Sequence, residues 1–275
     1  MPESRPAVRT GRAPLAAALL VAMVAGGLGG CKSVGLGDIT GSIGRSAPSS
    51  DPATLRGQAE ELGRQYERRP EDPRTAMAYA RVLRAQEQHS QAVAVLQTAS
   101  TRNPQNLELL AAYGKALADA GRFKEAQEVL ARAHTPDRPN WSVLSAQGSV
   151  ADQLGDQKLA QQYYDAALKI APGEPGVMSN LGLSYALGRD LPRAEATLRE
   201  ASAHARADMR VRQNLALVLA LQGKFTEAED ISRRDLSPAD AAANVSAIRK
   251  MIAESNTWRQ IQQGGKPPPR QARRG

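Results

Sequence analysis

The sequence predicts an all-α protein, a solenoid of about five stacked helical hairpins with capping helices at its ends. Three observations carry this expectation. The first is composition. Aromatic residues make up only 4% of the 275 positions, too few for a bulky-cored sandwich or barrel, while the abundant Ala, Leu, Glu, Gln and Arg favour helix on propensity alone. The second is a period: Ala92, Ala126, Ala160, Ala194 and Ala228 are each 34 residues apart, and Ala99, Ala133, Ala167 and Ala201 repeat the step seven residues later. The third is that other residue types keep this register, as Gly114, Gly148 and Gly182 do, and Pro70, Pro104 and Pro172. Alanine alone could fall into step by chance, but three residue types in one register mark a repeat array.

The elements follow in chain order. Arg5, Arg9 and Arg12 precede the apolar run Leu15 to Ala25, with small residues after it. A basic head, a short apolar middle and small residues read as a secretory signal peptide over 1–30. The run falls short of the roughly 20 apolar residues that a membrane-spanning helix needs. Next comes Leu28-Gly29-Gly30-Cys31, containing the only cysteine of the chain, which therefore has no internal disulfide partner. The tetrad resembles the bacterial lipobox. That resemblance implies lipidation of Cys31, cleavage just before it, and anchoring to a membrane through the N-terminal lipid. Lys32 follows Cys31, in place of the Asp that often retains lipoproteins at the inner membrane of enteric bacteria. By the same resemblance, a lipoprotein facing the periplasm at the outer membrane is expected. The lipidated Cys31 and a Gly/Ser-rich tether occupy 31–52, a flexible stretch averaging about 25 Å end to end. Its Gly35 and Gly37 have no strand before them or helix after them, so they do not form a phosphate loop.

Leu55, Ala59, Leu62 and Tyr66 are spaced by four, three and four, predicting an amphipathic N-terminal helix over 53–70 that ends before Pro70. The array then spans 71–240. Its 34-residue period and its residues resemble the tetratricopeptide repeat, which implies a right-handed α-solenoid. That family has small residues at position 8 of the first helix and positions 20 and 27 of the second. In frames starting at Pro73, Leu107, Trp141, Pro175 and Met209, position 8 reads Ala80, Gly114, Gly148, Gly182 and Ala216, and position 20 is Ala throughout. Two antiparallel helices pack closely only where no large side chain intervenes. Large apolar residues, among them Leu83, Leu96, Leu117, Leu130, Leu144, Tyr164, Leu181, Tyr185, Leu198, Leu215 and Leu219, are expected to fill the rest of the seam. Gly121, Gly155 and Gly223 open near-copied turns and supply the left-handed conformation after each first helix. The last repeat is degraded, with Ser232 and Asp235 where a large residue and Ala are expected, which leaves its second helix open to question. Ala241, Val245, Ile248 and Ile252 share one face and predict a C-terminal capping helix over 241–257. Residues 258–275 form a Pro-rich, basic tail expected to be disordered.

Function is read as protein binding. The formal charge is +8, but the basic residues are dispersed and no nucleic-acid motif accompanies them, so no nucleic-acid partner is expected. His89, His134 and His204 stand at mismatched repeat positions, and there is no His-Glu-x-x-His, paired-cysteine or Walker pattern and no nucleophile elbow. No enzymatic activity, cofactor, metal or small-molecule substrate is predicted. The family resemblance implies a concave groove lined by first-helix positions 2, 5, 6, 9, 12 and 13. Those positions place Arg74, Arg81, Arg84 and Lys115 at one end, Ser142, Ser145 and Ser149 in the middle, and Asn180, Leu183, Leu187, Asn214, Leu217 and Leu221 at the other. The basic end would select acidic side chains. Asn180 and Asn214 would clamp a ligand's main chain, since an amide offers both a donor and an acceptor. The competing reading has both asparagines satisfying neighbouring helix ends, with Leu217 and Leu221 packed on the capping helix. Trp141 reads as packing, while Trp258, past the cap, is open to contact.

Signal peptide, lipobox, tether and repeats together resemble the small tetratricopeptide-repeat lipoproteins that assemble Flp (tight-adherence, Tad) pili, of the TadD type. What that implies is a scaffold for assembly or secretin localisation of a type IVb pilus secretion system, with the outer-membrane secretin or other pilus-assembly components as partners. The alternatives are a pilotin of a type IVa pilus, or a lipoprotein scaffold for β-barrel assembly or for cell-wall hydrolases.

Overall fold

The five first helices start where their frames start, and the cause is local. The computed structural model describes the backbone of residues 51–262 and side chains as far as Glu254. The predicted signal peptide, Cys31, nearly all of the tether and the tail beyond 262 lie outside these residues. Helix α1 spans Pro52–Arg68. Five hairpins follow, each a first helix (A) and a second helix (B): α2 (Pro73–Ala85) with α3 (His89–Arg102), α4 (Leu107–Asp119) with α5 (Phe123–Ala131), α6 (Trp141–Gln153) with α7 (Gln157–Ile170), α8 (Pro175–Leu187) with α9 (Leu191–Ala203), and α10 (Met209–Leu221) with α11 (Phe225–Ser232). Helix α12 (Pro238–Gln262) closes the array. Among the described residues there is no strand beyond an isolated bridge between Thr135 and Arg138. No helix among them is long and apolar enough to cross a membrane.

An Asp or Asn side chain fixes most of these starts. Asp72 accepts from the Thr75 amide at 2.8 Å, Asn106 from Leu109 at 3.0 Å, Asn140 from Ser142 at 3.0 Å and Asp208 from Val211 at 3.1 Å. Each bond satisfies an orphan amide of the first turn, and Pro73 and Pro175 sit at N-terminal helix positions where a missing amide proton costs nothing. The turns are equally regular. Position 15 of every repeat has positive φ, at Glu87 (60°), Gly121 (73°), Gly155 (87°), Arg189 (67°) and Gly223 (80°). The residue after each returns its amide to a carbonyl near the end of the A helix, as Arg122 does to Leu117 and Asp190 to Tyr185, both at 2.9 Å.

Packing follows the small residues. Ala92, Ala126, Ala160, Ala194 and Ala228 all have zero exposure. The seam leucines are buried with them, as is Tyr164, while Tyr185 is partly buried against the same core. A Cβ placed on Gly114 would lie 2.6 Å from Leu130 Cγ, and one on Gly182 would lie 2.6 Å from Leu198 Cγ. The helix pairs therefore touch at backbone range, which is why a once-per-hairpin small residue recurs.

Both ends depart from the repeat in an informative way. One period before Ala92 and Ala99 stand Gln58 and Gln65. Helix α1 thus occupies the register of a B helix but lacks its small contact residues, and it closes the array. Its bounds sit close to the expected 53–70, with Asp51 capping Thr54 at 2.9 Å. Helix α12 differs more from the expected 241–257. It starts at Pro238, because the Ser237 hydroxyl caps the Asp240 amide at 3.2 Å, and it runs to Gln262, so 258–262 are helical rather than tail. Its Ala241 and Val245 are buried and Ile248 packs against the same core. In the last repeat α11 does form, though with only 8 residues. Ser232 turns its hydroxyl to the Ala228 carbonyl at 2.8 Å. Asp235, where an alanine contact is expected, takes a two-bond ion pair from Arg212 at 2.5 and 2.7 Å. A charge pair has replaced the small-residue contact.

Candidate partner-binding surface

Successive A helices touch one another along the array, α2 with α4, α4 with α6, α6 with α8 and α8 with α10, and no contact of similar extent joins successive B helices. The A helices therefore form the inner side of the curve. This face has three stretches of different character.

At its N-terminal end Arg74 and Arg81 are exposed. Arg84 is ion-paired across the repeat boundary to Asp119, whose own side chain is nearly buried. Burial raises the Asp119 carboxyl and the Arg84 charge opposes that rise. Beside them the Lys115 ammonium donates to Ser142 Oγ at 2.6 Å. Burial, and after it the charge of Arg84, lowers the Lys115 pKa to about 8. Of the four basic residues predicted for this end, two are exposed with no ion pair among the described residues and two are engaged with neighbouring repeats.

The middle is closed. Ser142, Ser145, Ser179 and Asn180 are buried, Asn180 to 6% exposure. Asn180 donates from Nδ2 to Ser145 Oγ at 3.2 Å, and Asn214 donates from Nδ2 to Ser179 Oγ at 2.9 Å. Position 6 of one repeat thus bonds to position 5 of the repeat before, twice in the same register. This ladder ties A helices together, so both amides face a neighbouring repeat where the expectation has them clamping a ligand's main chain. Leu183, Leu187, Leu217 and Leu221 are half-buried and give the C-terminal third an apolar surface.

The residue that sequence reasoning passed over is Asp152. It is buried, with no basic group among its bonded partners; Ser184 Oγ donates to Oδ1 at 2.7 Å and Tyr164 Oη donates to Oδ2 at 3.0 Å. Burial raises its pKa to about 7, against the pull of the two hydroxyls. The cluster ties α6 to its own B helix and to the next A helix. Its signal in the sequence was the single charged residue, at position 12, of a helix otherwise made of small, apolar and amide side chains. Trp141 packs partly buried against the core around Tyr164, and His134 shares a 3.1 Å hydrogen bond with Gln147. The Trp258 side chain lies outside the described residues. No cluster of metal-ligating groups occurs among the described residues.

Two sequence profiles described as tetratricopeptide repeat match the chain, over residues 83–147 and 142–174. No curated protein matches it. Among solved structures, TTC0263, a thermophilic tetratricopeptide-repeat protein of Thermus thermophilus, is 21% identical with a TM-score of 0.54, over 61% of this chain and 91% of that one. PilW, described as a widely conserved type IV pilus biogenesis factor, is 15% identical with a TM-score of 0.55, over 77% of this chain and 91% of its own. A chain of the APC/C hetero-tetramer Cut9–Hcn1 is 19% identical with a TM-score of 0.61, over 76% of this chain. The present chain spans 41% of that protein's length. At such identities the likeness is one of fold.

Proposed function

We propose that this tetratricopeptide-repeat chain is a lipid-anchored periplasmic scaffold that helps assemble, or localise the secretin of, a Flp/type IVb (Tad) pilus secretion system. One observation carries the scaffold reading: a continuous inner face of A helices that is basic and open at one end and apolar at the other. Among the described residues Arg74 and Arg81 form no ion pair, which suits them to carboxylates of a partner, and the leucines of the last two repeats suit its apolar anchors. The anchor rests on the sequence around Cys31, and the pilus assignment on the resemblance to TadD-type lipoproteins. The mechanism is tethering. A lipid fixes the chain to the membrane, a Gly/Ser link sets reach, and the held partner gains effective concentration with no chemistry performed on it.

The fold shared with PilW, whose description names type IV pilus biogenesis, favours one second reading, a pilotin role in a type IVa pilus. Anchoring is tested by fractionating cells that express the full chain or Cys31→Ser. The wild type should sediment with outer membranes and the variant should be soluble. A membrane-bound Cys31→Ser would overturn the lipid anchor.

A further inference from the structure

The outer side of the array has a feature that the inner-face reading does not use. Two adjoining hollows of about 260 and about 440 Å³ share Pro104, Leu110 and Arg132, the first between α3 and α5 and the second between the start of α4 and the segment after α5. Tyr113 extends the first, and Leu107 and Arg138 extend the second. Their origin is the shortness of α5, which has 9 residues where α3 and α7 have 14. The chain leaves the helix at Arg132 and carries the Thr135–Arg138 bridge before α6 begins. The last turns of a full-length B helix are missing there, and a cleft with a floor of Pro104, Leu107 and Leu110 remains.

The charged side chains that line this cleft, Arg132 and Arg138, are both basic. Arg132 and Arg138 are exposed, and among the described residues neither is ion-paired. Arg132 reaches only the Pro104 carbonyl, at 3.5 Å. The same register two repeats on shows what is absent. Arg206 stands at the place of Arg138, and its guanidinium lies 2.9 Å from Glu174 Oε2. The residue at the place of Glu174 is Asn106, whose side chain is engaged in capping Leu109 at 3.0 Å. The two segments outside the described residues are themselves basic. Residues 263–275 carry four basic and no acidic side chains, and residues 1–50 carry five basic against two acidic.

We propose that this cleft is a second docking surface, for a segment of another protein in which an apolar side chain is flanked by Asp or Glu. The apolar side chain seats on Pro104, Leu107 and Leu110, and the carboxylates meet the two guanidinium forks, which suit planar two-bond pairing. Because the cleft is built from B-helix ends and the start of α4 and includes none of the inner-face residues Arg74, Arg81, Leu183, Leu187, Leu217 or Leu221, the scaffold holds two partners at once and brings them together.

The test is photo-crosslinking of the full chain in the cells that make it, with p-benzoylphenylalanine at Gln105 and, as a control on the same side, at Asp165, both exposed. Adducts are mapped by mass spectrometry. Expected is an adduct from Gln105 to a different protein through a segment rich in Asp and Glu. Its yield should fall roughly tenfold or more in Arg132→Glu/Arg138→Glu, as reversing a complementary charge predicts, and stay unchanged in Arg74→Glu/Arg81→Glu. An adduct to a second copy or to the chain's own ends, a segment without acids, insensitivity to the Arg132/Arg138 change, or no adduct above the Asp165 control would each overturn it. Loss in the Arg74/Arg81 variant alone would bear on the inner face instead and would also remove the case for a second surface. Far-UV circular dichroism of both double variants, whose changes are all at exposed positions, checks that the helices are retained.

Discussion

Replacing Gly148 by alanine tests the packing logic with a single methyl group. The added Cβ would lie 2.6 Å from Tyr164 Cε1, 2.8 Å from Cζ and 2.9 Å from Cδ1, against an ordinary carbon–carbon separation of about 3.5–4.0 Å. The ring must therefore retreat by about 1 Å. It has little freedom to do so, being 1% exposed and hydrogen-bonded to Asp152. Overpacking of this kind costs about 1–3 kcal/mol. Alanine gains back about 1 kcal/mol through helix propensity, and loss of the Tyr164–Asp152 bond would add about 1–3 kcal/mol to the cost. A net loss of about 2 kcal/mol is expected. Gly57 provides the control, because it lies in α1 with nothing within 4 Å of a new Cβ. Alanine there should gain up to about 1 kcal/mol, felt mainly in α1 because repeat arrays couple only to neighbours. The assay is urea unfolding followed by circular dichroism, with hydrogen exchange resolving α1 from α6. At a slope of about 3 kcal/mol/M, Gly148→Ala should lower the midpoint by about 0.7 M. A midpoint equal to or above the wild type would refute the close-approach account of the repeat.

Asp152 makes stability depend on pH in a defined window. Its carboxyl is raised from 3.8 to about 7 in the folded chain, so between these values the folded state keeps a proton that the unfolded state releases. Stability is fully present below about 4, declines as pH rises towards 7 and levels off above, with a ceiling of about 4 kcal/mol on the loss. Unfolding midpoints at pH 5 and 7.5 should show the decline in the wild type and a much smaller one in Asp152→Asn; equal slopes would contradict the buried-acid assignment. The upper limit stays below the range where Lys115, lowered to about 8, starts to raise stability with pH. At the fourth turn, Arg189 holds φ at 67°, a conformation costing a non-glycine residue about 1–2 kcal/mol. Allowing for the greater chain entropy of glycine, about 0.5–1 kcal/mol, Arg189→Gly should stabilise α8–α9 by about 0.5–1 kcal/mol, measured as a raised urea midpoint.

The parts of the fold legible in the sequence were those governed by one residue at a time. Alanine at position 20 marks where helices meet, and the caps Asp72, Asn106 and Asp208, which the repeat frames do not use, are single-residue signals of the same kind. Gly121, Gly155 and Gly223 announced three turns. Glu87 and Arg189 did not, because there the surrounding hairpin imposes a left-handed conformation that the residue itself resists. Ser232 and Asp235 raised a proper question about the last repeat, but its resolution needed Arg212, a residue 23 positions away. The inner face was less legible for the same reason. Asn180 and Asn214 stand at position 6 of consecutive repeats, yet their bonding to Ser145 and Ser179 depends on how one A helix leans on the next. Asp152 reads as an ordinary surface acid until α8 is stacked upon it. The Arg132/Arg138 cleft exists only because α5 unwinds early, a step that Pro136 hints at without showing what it uncovers.

The scaffold reading meets its most direct test in affinity purification of the tagged full chain from detergent-solubilised outer membranes, with the secretin quantified in the eluate. The secretin should co-purify with the wild type and fall by roughly tenfold or more with Arg74→Glu/Arg81→Glu, since charge reversal turns attraction into repulsion. Absence of the secretin from the wild-type eluate, or equal recovery with the double variant, would contradict an inner face that holds it.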